Sequence, residues 1–573
     1  MSRMLLRRLR QLEQAFGIGE GQAVGLEQLE SLLCCSRRNV SNILASLQEQ
    51  GWIRWNGAVG RGRQSELWVL MGGDAALDDW VARLVAAGDL QQAARLAAET
   101  TQPERVSRQI NHFFEQQQQT VRSLGGLLIS DFPVPHTIDP VETYLRNELY
   151  ITENVYDTLL DYNLAAGCIM PALAHYWEVD PLRPALRFRL RPDVRFHHGE
   201  AMTVAAACAS LTRMLTTPGP LQRIYQQVVA VSAIGQHWIE VRLRQHNPLL
   251  IYAFCGIHGA IMAEQGIRLA SGALARFGTG PFRVRQSDKS HMALERFPDY
   301  YREKPLVERV ELWYAMPDLP SGASRMSFTS TAPSVEPHAS RVTNRLDGFF
   351  SLGFRVRPDA RISATDLGRL YDYLHQVRWQ YGIEPVVDSA YARAAAPTQP
   401  ADVCACPRLS GTLVVAEPHW HYPRLAHIAG WIRERIEETG LTLVDFPIEN
   451  YNELDQVRAS ADLMLVSELL DPPPLYGYYE WLTSAVCMQF AHDECWLDEE
   501  HGRLLAAFGQ TLDEGEILSR MQEVERRWHG EKSLLHLFGI TEELHLDRAV
   551  RGATIDPSGF CSLRRIWLSD SDE

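Results

Sequence analysis

Between Leu26 and Leu70 the hydrophobic spacing changes twice, and no other stretch restricts the fold so tightly. Leu26, Leu29, Leu32 and Leu33 recur at helical intervals. Cys34-Cys35-Ser36 interrupts, and Val40, Ile43, Leu44 and Leu47 set up a second helical face. Ser36 is placed to cap that helix at its start, and Gly51 to end it. Trp52, Ile53 and Trp55, then Leu67, Trp68, Val69 and Leu70, read as two strands, with Gly57, Gly60 and Gly62 supplying turn geometry between them. Helix, tight turn, helix and basic hairpin in this order predict a winged helix-turn-helix, the two helices over about 26–49 and the wing over about 52–70. The preceding MSRMLLRRLRQLEQAF reads as an amphipathic helix.

In such a unit the second helix enters the major groove by its first residues. Here these are Ser36, Arg37, Arg38, Asn39, Ser41 and Asn42. Arg bridges the guanine acceptors and Asn pairs bidentately with adenine. Arg61 and Arg63 fall at the wing tip, where guanidinium groups suit phosphate or a minor groove. The whole chain carries −15, which argues against nucleic acid, but its distribution reverses the argument. Residues 1–71 hold nine Arg against six Glu, a net +3 that leaves −18 on the remainder. A basic head on an acidic body permits local phosphate contact. The competing reading is a generic helical subdomain with a solvated basic hairpin; helix order, spacing and charge together favour double-stranded DNA as partner.

The stretch SRRNVSNILASLQEQGWIRWNGAVGRGRQSEL resembles the winged-helix head of the SgrR-type regulators of sugar-phosphate stress. The resemblance implies a DNA-binding regulator that activates a small-RNA gene and represses its own promoter.

At 573 residues the chain is too long for one ordinary core. We divide it into a winged helix-turn-helix over 1–72, a helical connector over 73–124 and a larger domain over 125–573. The connector, rich in Ala and Leu, is either a structural linker, a signal-transmitting element or a dimer face. From Leu127 the character shifts to short strands, Pro-punctuated loops and aromatics. LLISDF reads as a strand and ELYITENVYDTLLDYN as a helix with a Tyr-rich face. Leu186, Phe188 and Leu190 alternate with Arg187, Arg189 and Arg191, the period of a half-buried strand. GTGPFRVRQS, MALERFPDYY and VERVELWYAM read as a glycine turn and further strands, and the polar 319–345 as a connection between lobes.

The ordered motifs ENVYDTLLDY, PALAHYWEV, LRFRLRPDVRFHHGEAMT and FGTGPFRV resemble family-5 bacterial solute-binding proteins, the oligopeptide- and nickel-binding class. GTLVVAEPHWHYPRLAHIAGWIRERIEETGLTLVDF matches more loosely, as strand, loop, helix, strand. The implied fold is α/β, a type II binding protein of two lobes that close over a small solute by hinge motion. With the head, the resemblance implies a sugar phosphate or related metabolite as ligand.

Candidate solute contacts are His419, Trp420, His421 and Tyr422, in a loop at a strand's C-terminal end, with Arg424 for a phosphate. The alternative is an ordinary exposed loop. His197-His198 belongs to a turn that is structural in the resembled family, and no carboxylate or Cys lies at ligand spacing beside it, so no metal is expected. The ten Cys make no disulfide framework and are expected to be reduced, small apolar residues; Cys34-Cys35 is expected to be packed rather than redox-active. No P-loop, nucleophile elbow or HExxH occurs, and neither an enzyme nor a cofactor is expected. No signal-type or spanning segment is read, so we expect a cytoplasmic protein without membrane contact, and a homodimer is possible. Two alternatives stay open: a regulator of this architecture with another ligand and target, and a transport-associated binding protein with a vestigial head.

Overall fold

The computed structural model describes the chain except residues 1–2, 58–64, 98–102, 181, 220, 315–325, 328–339, 392–398, 400–404, 419–422, 449–453, 509–512, 547–548, 558, 560 and 570–573. It forms two compact units, the first from residues 1–119 and the second chiefly from 120–315 and 324–573. Among the described residues no helix is long and apolar enough to cross a membrane.

In the first unit, α1 (Arg3–Phe16) buries Leu6, Leu9, Leu12 and Phe16 along one stripe. The short strand β1 (Gln22–Val24) leads into α2 (Leu26–Leu33) and α3 (Arg37–Glu49). Strands β2 (Ile53–Asn56) and β3 (Ser65–Val69) pair antiparallel, with Ile53 opposite Val69 and Asn56 opposite Glu66. β1 adds to the far side of β3 in the order β1-β3-β2. The core is Leu29 and Leu33 of α2, Val40, Ile43, Leu44 and Leu47 of α3, Trp52, Ile53, Leu67 and Val69. Gly51 sits at φ +76°, the left-handed conformation that ends α3 and turns the chain into β2.

The next helix, α4 (Gly73–Ala86), buries Leu77, Trp80 and Val81 and is fastened to the elements before it. Glu13 of α1 accepts the Gly73 amide at 2.8 Å, and Asp79 accepts the Trp52 indole N–H at 3.2 Å. Two further helices, α5 (Leu90–Ala97) and α6 (Pro103–Ser123), follow.

Among the described residues, the second unit has three main sheets. One is antiparallel, in the order Ala174–Val179, Ala185–Leu190, Trp238–Leu243, Val228–Ile234. Its strand 185–190 buries Leu186, Phe188 and Leu190 with Arg187 and Arg189 outward, as the alternation predicts. In the next, Phe282–Ser287, His291–Arg296 and Arg309–Tyr314 form a meander, and Gly126–Phe132 joins its edge in parallel. A six-stranded mixed sheet holds Ser340–Phe354 between Leu534–Leu546 and Leu463–Leu469. Strand Thr412–Pro418, helix Pro423–Glu437 and strand Thr442–Ile448 form a parallel βαβ unit on it, the pattern read from the sequence.

Two expectations change. The helix read through ELYITENVYDTLLDYN ends at Val155, and Leu160–Asn163 is a strand. The cause is tertiary: the Gly278-Thr279-Gly280 turn abuts this end, Gly280 donates to the Val155 carbonyl at 3.0 Å, and a Cβ on Gly278 would lie 2.2 Å from that oxygen. The polar connection expected over 319–345 is strand from Ser340 onward, paired with residues 541–546.

Helix Arg146–Val155 also buries Glu148, whose carboxylate accepts the amides of His136 at 2.8 Å and Thr137 at 3.1 Å. Burial pushes its pKa up to about 7 against the pull of those amides. The folded value lies above the unfolded one, so this group's contribution is fully present below about pH 4.5 and is lost as pH rises through about 7. The loss amounts to roughly 3 kcal/mol at 1.36 kcal/mol per unit. Glu148→Gln should therefore raise the melting temperature of this unit at pH 8 and leave it unchanged at pH 4. Equal shifts at both pH values would refute a proton held on Glu148.

Candidate nucleic-acid interface

Helix α3 owes its orientation to its buried stripe. Val40, Ile43, Leu44 and Leu47 face the core, which leaves Arg37, Arg38, Asn39, Ser41 and Asn42 exposed at its start. Arg38, Asn42 and Ala45 form one outward ridge at helical spacing. Ser36 occupies the N-cap position in extended conformation, as expected, but its hydroxyl makes no capping bond. The first amides of α3 and the Ser36 side chain thus lie at the positive end of the helix dipole. Ser41 hydroxyl donates to the Arg37 carbonyl at 3.1 Å.

The turn that sets α3 against α2 depends on Cys34, which adopts φ 47° and ψ 48°. This left-handed conformation costs a non-glycine residue roughly 1–2 kcal/mol. Its amide and that of Cys35 satisfy the Ser31 and Glu30 carbonyls at the end of α2. Cys34 is exposed and Cys35 half-buried, both as free thiols, so the expected apolar packing does not hold for Cys34. Its place is set by the turn.

After α3, β2 and β3 pair as the two strands of the hairpin. Arg61 and Arg63 lie outside the described residues. Arg54 of β2 is exposed, with its guanidinium 5.8 Å from the centroid of the Trp68 ring. The alternation of β2 was legible in the sequence, but only the pairing Arg54 opposite Trp68 shows that an aromatic face holds this arginine. At the other end of α3, Arg83 of α4 donates to the Gln50 carbonyl at 3.1 Å while pairing with Asp79 at 2.6 Å. The helix following the hairpin is therefore bonded to the C-terminal end of α3.

In the second unit, His419, Trp420, His421 and Tyr422 lie outside the described residues, and Arg424 is placed only as part of helix Pro423–Glu437. His197 is buried, with Nε2 3.0 Å from the Gly280 carbonyl and its amide on the Gly278 carbonyl, so it braces the glycine turn. Burial brings its pKa down to about 4. The sequence gives no sign of a set of half-buried and buried carboxyl groups from distant segments. Glu153 is raised by burial, then by Asp556 and Asp471. Asp471 is raised to about 6 by burial, then by Asp556. Asp157 holds Arg564 at 2.8 Å.

Two family descriptions match this chain. Residues 5–120 match the "Sugar transport-related sRNA regulator N-term" family, and residues 169–326 match "Bacterial extracellular solute-binding proteins, family 5 Middle". Among curated relatives, the HTH-type transcriptional regulator SgrR of Pectobacterium atrosepticum is 26% identical over 338 residues, 58% of each chain. That of Yersinia enterocolitica is 23% identical over 562 residues, 95% of each. The matched stretch thus spans little more than half of the first relative and nearly all of the second. Among solved structures, NikA of Brucella suis in complex with Fe(III)-EDTA superposes with a TM-score of 0.60 at 17% identity, covering 78% of this chain and all of that one. DppA of Helicobacter pylori in complex with the peptide STSA gives 0.62 at 15%, with the same coverage. At these identities the structures show the fold.

Proposed function

We propose, on the premise that this chain joins an SgrR-type N-terminal domain to a family-5 solute-binding domain, that it is a DNA-binding transcription regulator whose body senses a small solute. The observation that carries the reading is the outward polar start of α3, Ser36 to Asn39 with Ser41 and Asn42, above a buried apolar stripe. Arg37, Arg38, Asn39, Ser41 and Asn42 contact base edges and neighbouring phosphates, Ser36 and the first amides of α3 hold a phosphate, and Arg61 and Arg63 hold the wing against the backbone. The divisions at residues 72 and 124 belong to the same reading, as do a cytoplasmic location and a homodimer that reads two half-sites.

The ligand we assign is a sugar phosphate or related metabolite, with His419, Trp420, His421, Tyr422 and Arg424 among its contacts. Solute binding shifts the population of DNA-binding states, activating a small-RNA gene and repressing the chain's own promoter. No catalytic step is assigned. The test is a gel shift on fragments upstream of the gene and its neighbour, with and without hexose 6-phosphates. We expect a specific complex whose affinity changes with the sugar phosphate. A specific complex indifferent to it leaves the head's role standing and defeats the ligand assignment.

A second reading keeps the architecture and changes the ligand. The half-buried carboxyl groups Glu153 and Asp471, each raised in pKa partly by neighbouring acids, favour a solute carrying positive charge over a dianionic phosphate. A thermal-shift comparison of sugar phosphates with short cationic peptides separates the two, because only a ligand held by the folded state raises the melting temperature.

A further inference from the structure

Helix Glu514–Gly530 and strand Leu534–Leu546 meet at a short turn that brings Glu525, His529 and His536 together. Glu525 and His529 are one helical turn apart and share a face, and His536 arrives from the strand. Each offers a donor atom within 4.8 Å of the other two.

The hydrogen bonds define the orientation of each ring. His536 is fully buried, and its Nε2 lies 2.9 Å from Glu525 Oε1. A carboxylate accepts, so this nitrogen carries a hydrogen. Among the described residues, the buried Nδ1 of His536 has no hydrogen-bond partner. His529 repeats the pattern: Nδ1 lies 3.1 Å from the Leu534 carbonyl, which also only accepts, and the buried Nε2 has no partner among the described residues. Each imidazole is thus oriented through one N–H and bare at the other nitrogen. Leaving a buried acceptor unsatisfied costs about 1–3 kcal/mol, and the fold leaves two such nitrogens in neighbouring rings, 5.0 Å between centroids.

Metal-bound histidines have this arrangement, one nitrogen on the ion and the other donating to a carboxylate or carbonyl. Glu525 is itself held firmly. It accepts from Ser389 at 2.6 Å, Tyr478 at 2.7 Å and the Ala390 amide at 2.7 Å. Phe349 and Trp481 pack against His536 and hold its ring in place. His529 lies in the last turn of its helix, where the dipole favours a cation, and is half-buried as a residue. Arg378, bonded to the His536 carbonyl, is a nearby positive charge, and Asp388 offsets it.

We propose that His529 and His536 bind a divalent transition-metal ion of the zinc type through their bare nitrogens, with Glu525 fixing the orientation of His536 and water completing the coordination. Imidazole nitrogen suits zinc, nickel and copper and disfavours magnesium and calcium. Such an ion ties the end of the helix to the strand, so its loss loosens this corner of the six-stranded sheet.

The experiment uses the full chain, stripped with a chelator and titrated with Zn²⁺ by calorimetry and with Co²⁺ by visible absorption. We expect one Co²⁺ per chain with an absorption band that Zn²⁺ abolishes, and a higher melting temperature with Zn²⁺. His529→Gln, at a half-buried helix end, should lose this band while keeping the parent's circular dichroism. Glu525→Gln should retain it with affinity weakened about 10–100-fold. Equal binding by the parent and a folded His529→Gln would overturn the proposal, as would absence of the band in the parent.

Discussion

Arg38→Ala combined with Asn42→Ala is expected to remove the preference for operator over random duplex and to leave non-specific affinity within a few-fold. Both side chains lie on the exposed ridge of α3 and contribute nothing to the buried stripe, so the fold is retained. A bidentate contact to a base contributes about 1–3 kcal/mol of discrimination. Losing two should weaken operator binding by roughly 30-fold or more at 1.4 kcal/mol per decade. Arg61→Ala with Arg63→Ala should behave differently. Wing guanidiniums on phosphates contribute to every sequence alike, and each released phosphate contact lowers the slope of log affinity against log salt by about 0.9. The pair should therefore weaken operator and random duplex together and flatten the salt dependence by about 2. Titrations at several salt concentrations, with operator and scrambled duplex in parallel, separate the two classes. Identical behaviour of both double variants would defeat the division between recognition helix and wing.

The head was legible because each of its elements buries one face. The stripes Leu29–Leu33 and Val40–Leu47 have helical spacing, and Leu67 and Val69 alternate, so local pattern and tertiary burial agree. Strand β1 was not legible: three residues carry no period, and only β3 beside it makes it a strand. In the body, the alternation of Leu186, Phe188 and Leu190 was read correctly for the same reason. The end of helix Arg146–Val155 was missed because its cause lies more than a hundred residues away, in Gly278 and Gly280. Ser340–Arg345 is polar and still a strand, because backbone pairing with 541–546 stands in for burial. Glu525 and His529 show their spacing in the sequence, but His536 joins them only through the turn between helix and strand. A pair without its third member gives no reason to look.

Arg357→Leu is expected to cause the largest loss of stability in the second unit. Asp462 is fully buried at the head of strand Leu463–Leu469 and grips the Arg357 guanidinium with both oxygens, at 2.7 and 3.2 Å. The same carboxylate accepts the Val414 amide at 2.9 Å, and the Asp462 backbone bonds to both Val414 and Arg355. This one residue therefore ties Thr412–Pro418 and the end of Ser340–Phe354 to its own strand. The Arg357 guanidinium is itself nearly covered, and its pKa is raised, chiefly by the hydrogen bond to Asp462. Removing the arginine strands a buried charge with only an amide for company, which costs about 3–5 kcal/mol. Removing both partners should cost less, because Arg357→Leu with Asp462→Leu buries no charge and leaves only the Val414 amide unsatisfied, about 1–3 kcal/mol. Urea unfolding followed by tryptophan fluorescence should place the single variant's midpoint lowest and the double variant's between it and the parent. A double variant less stable than Arg357→Leu alone would mean that Asp462 holds the three strands through its backbone and amide contacts and owes little to the ion pair.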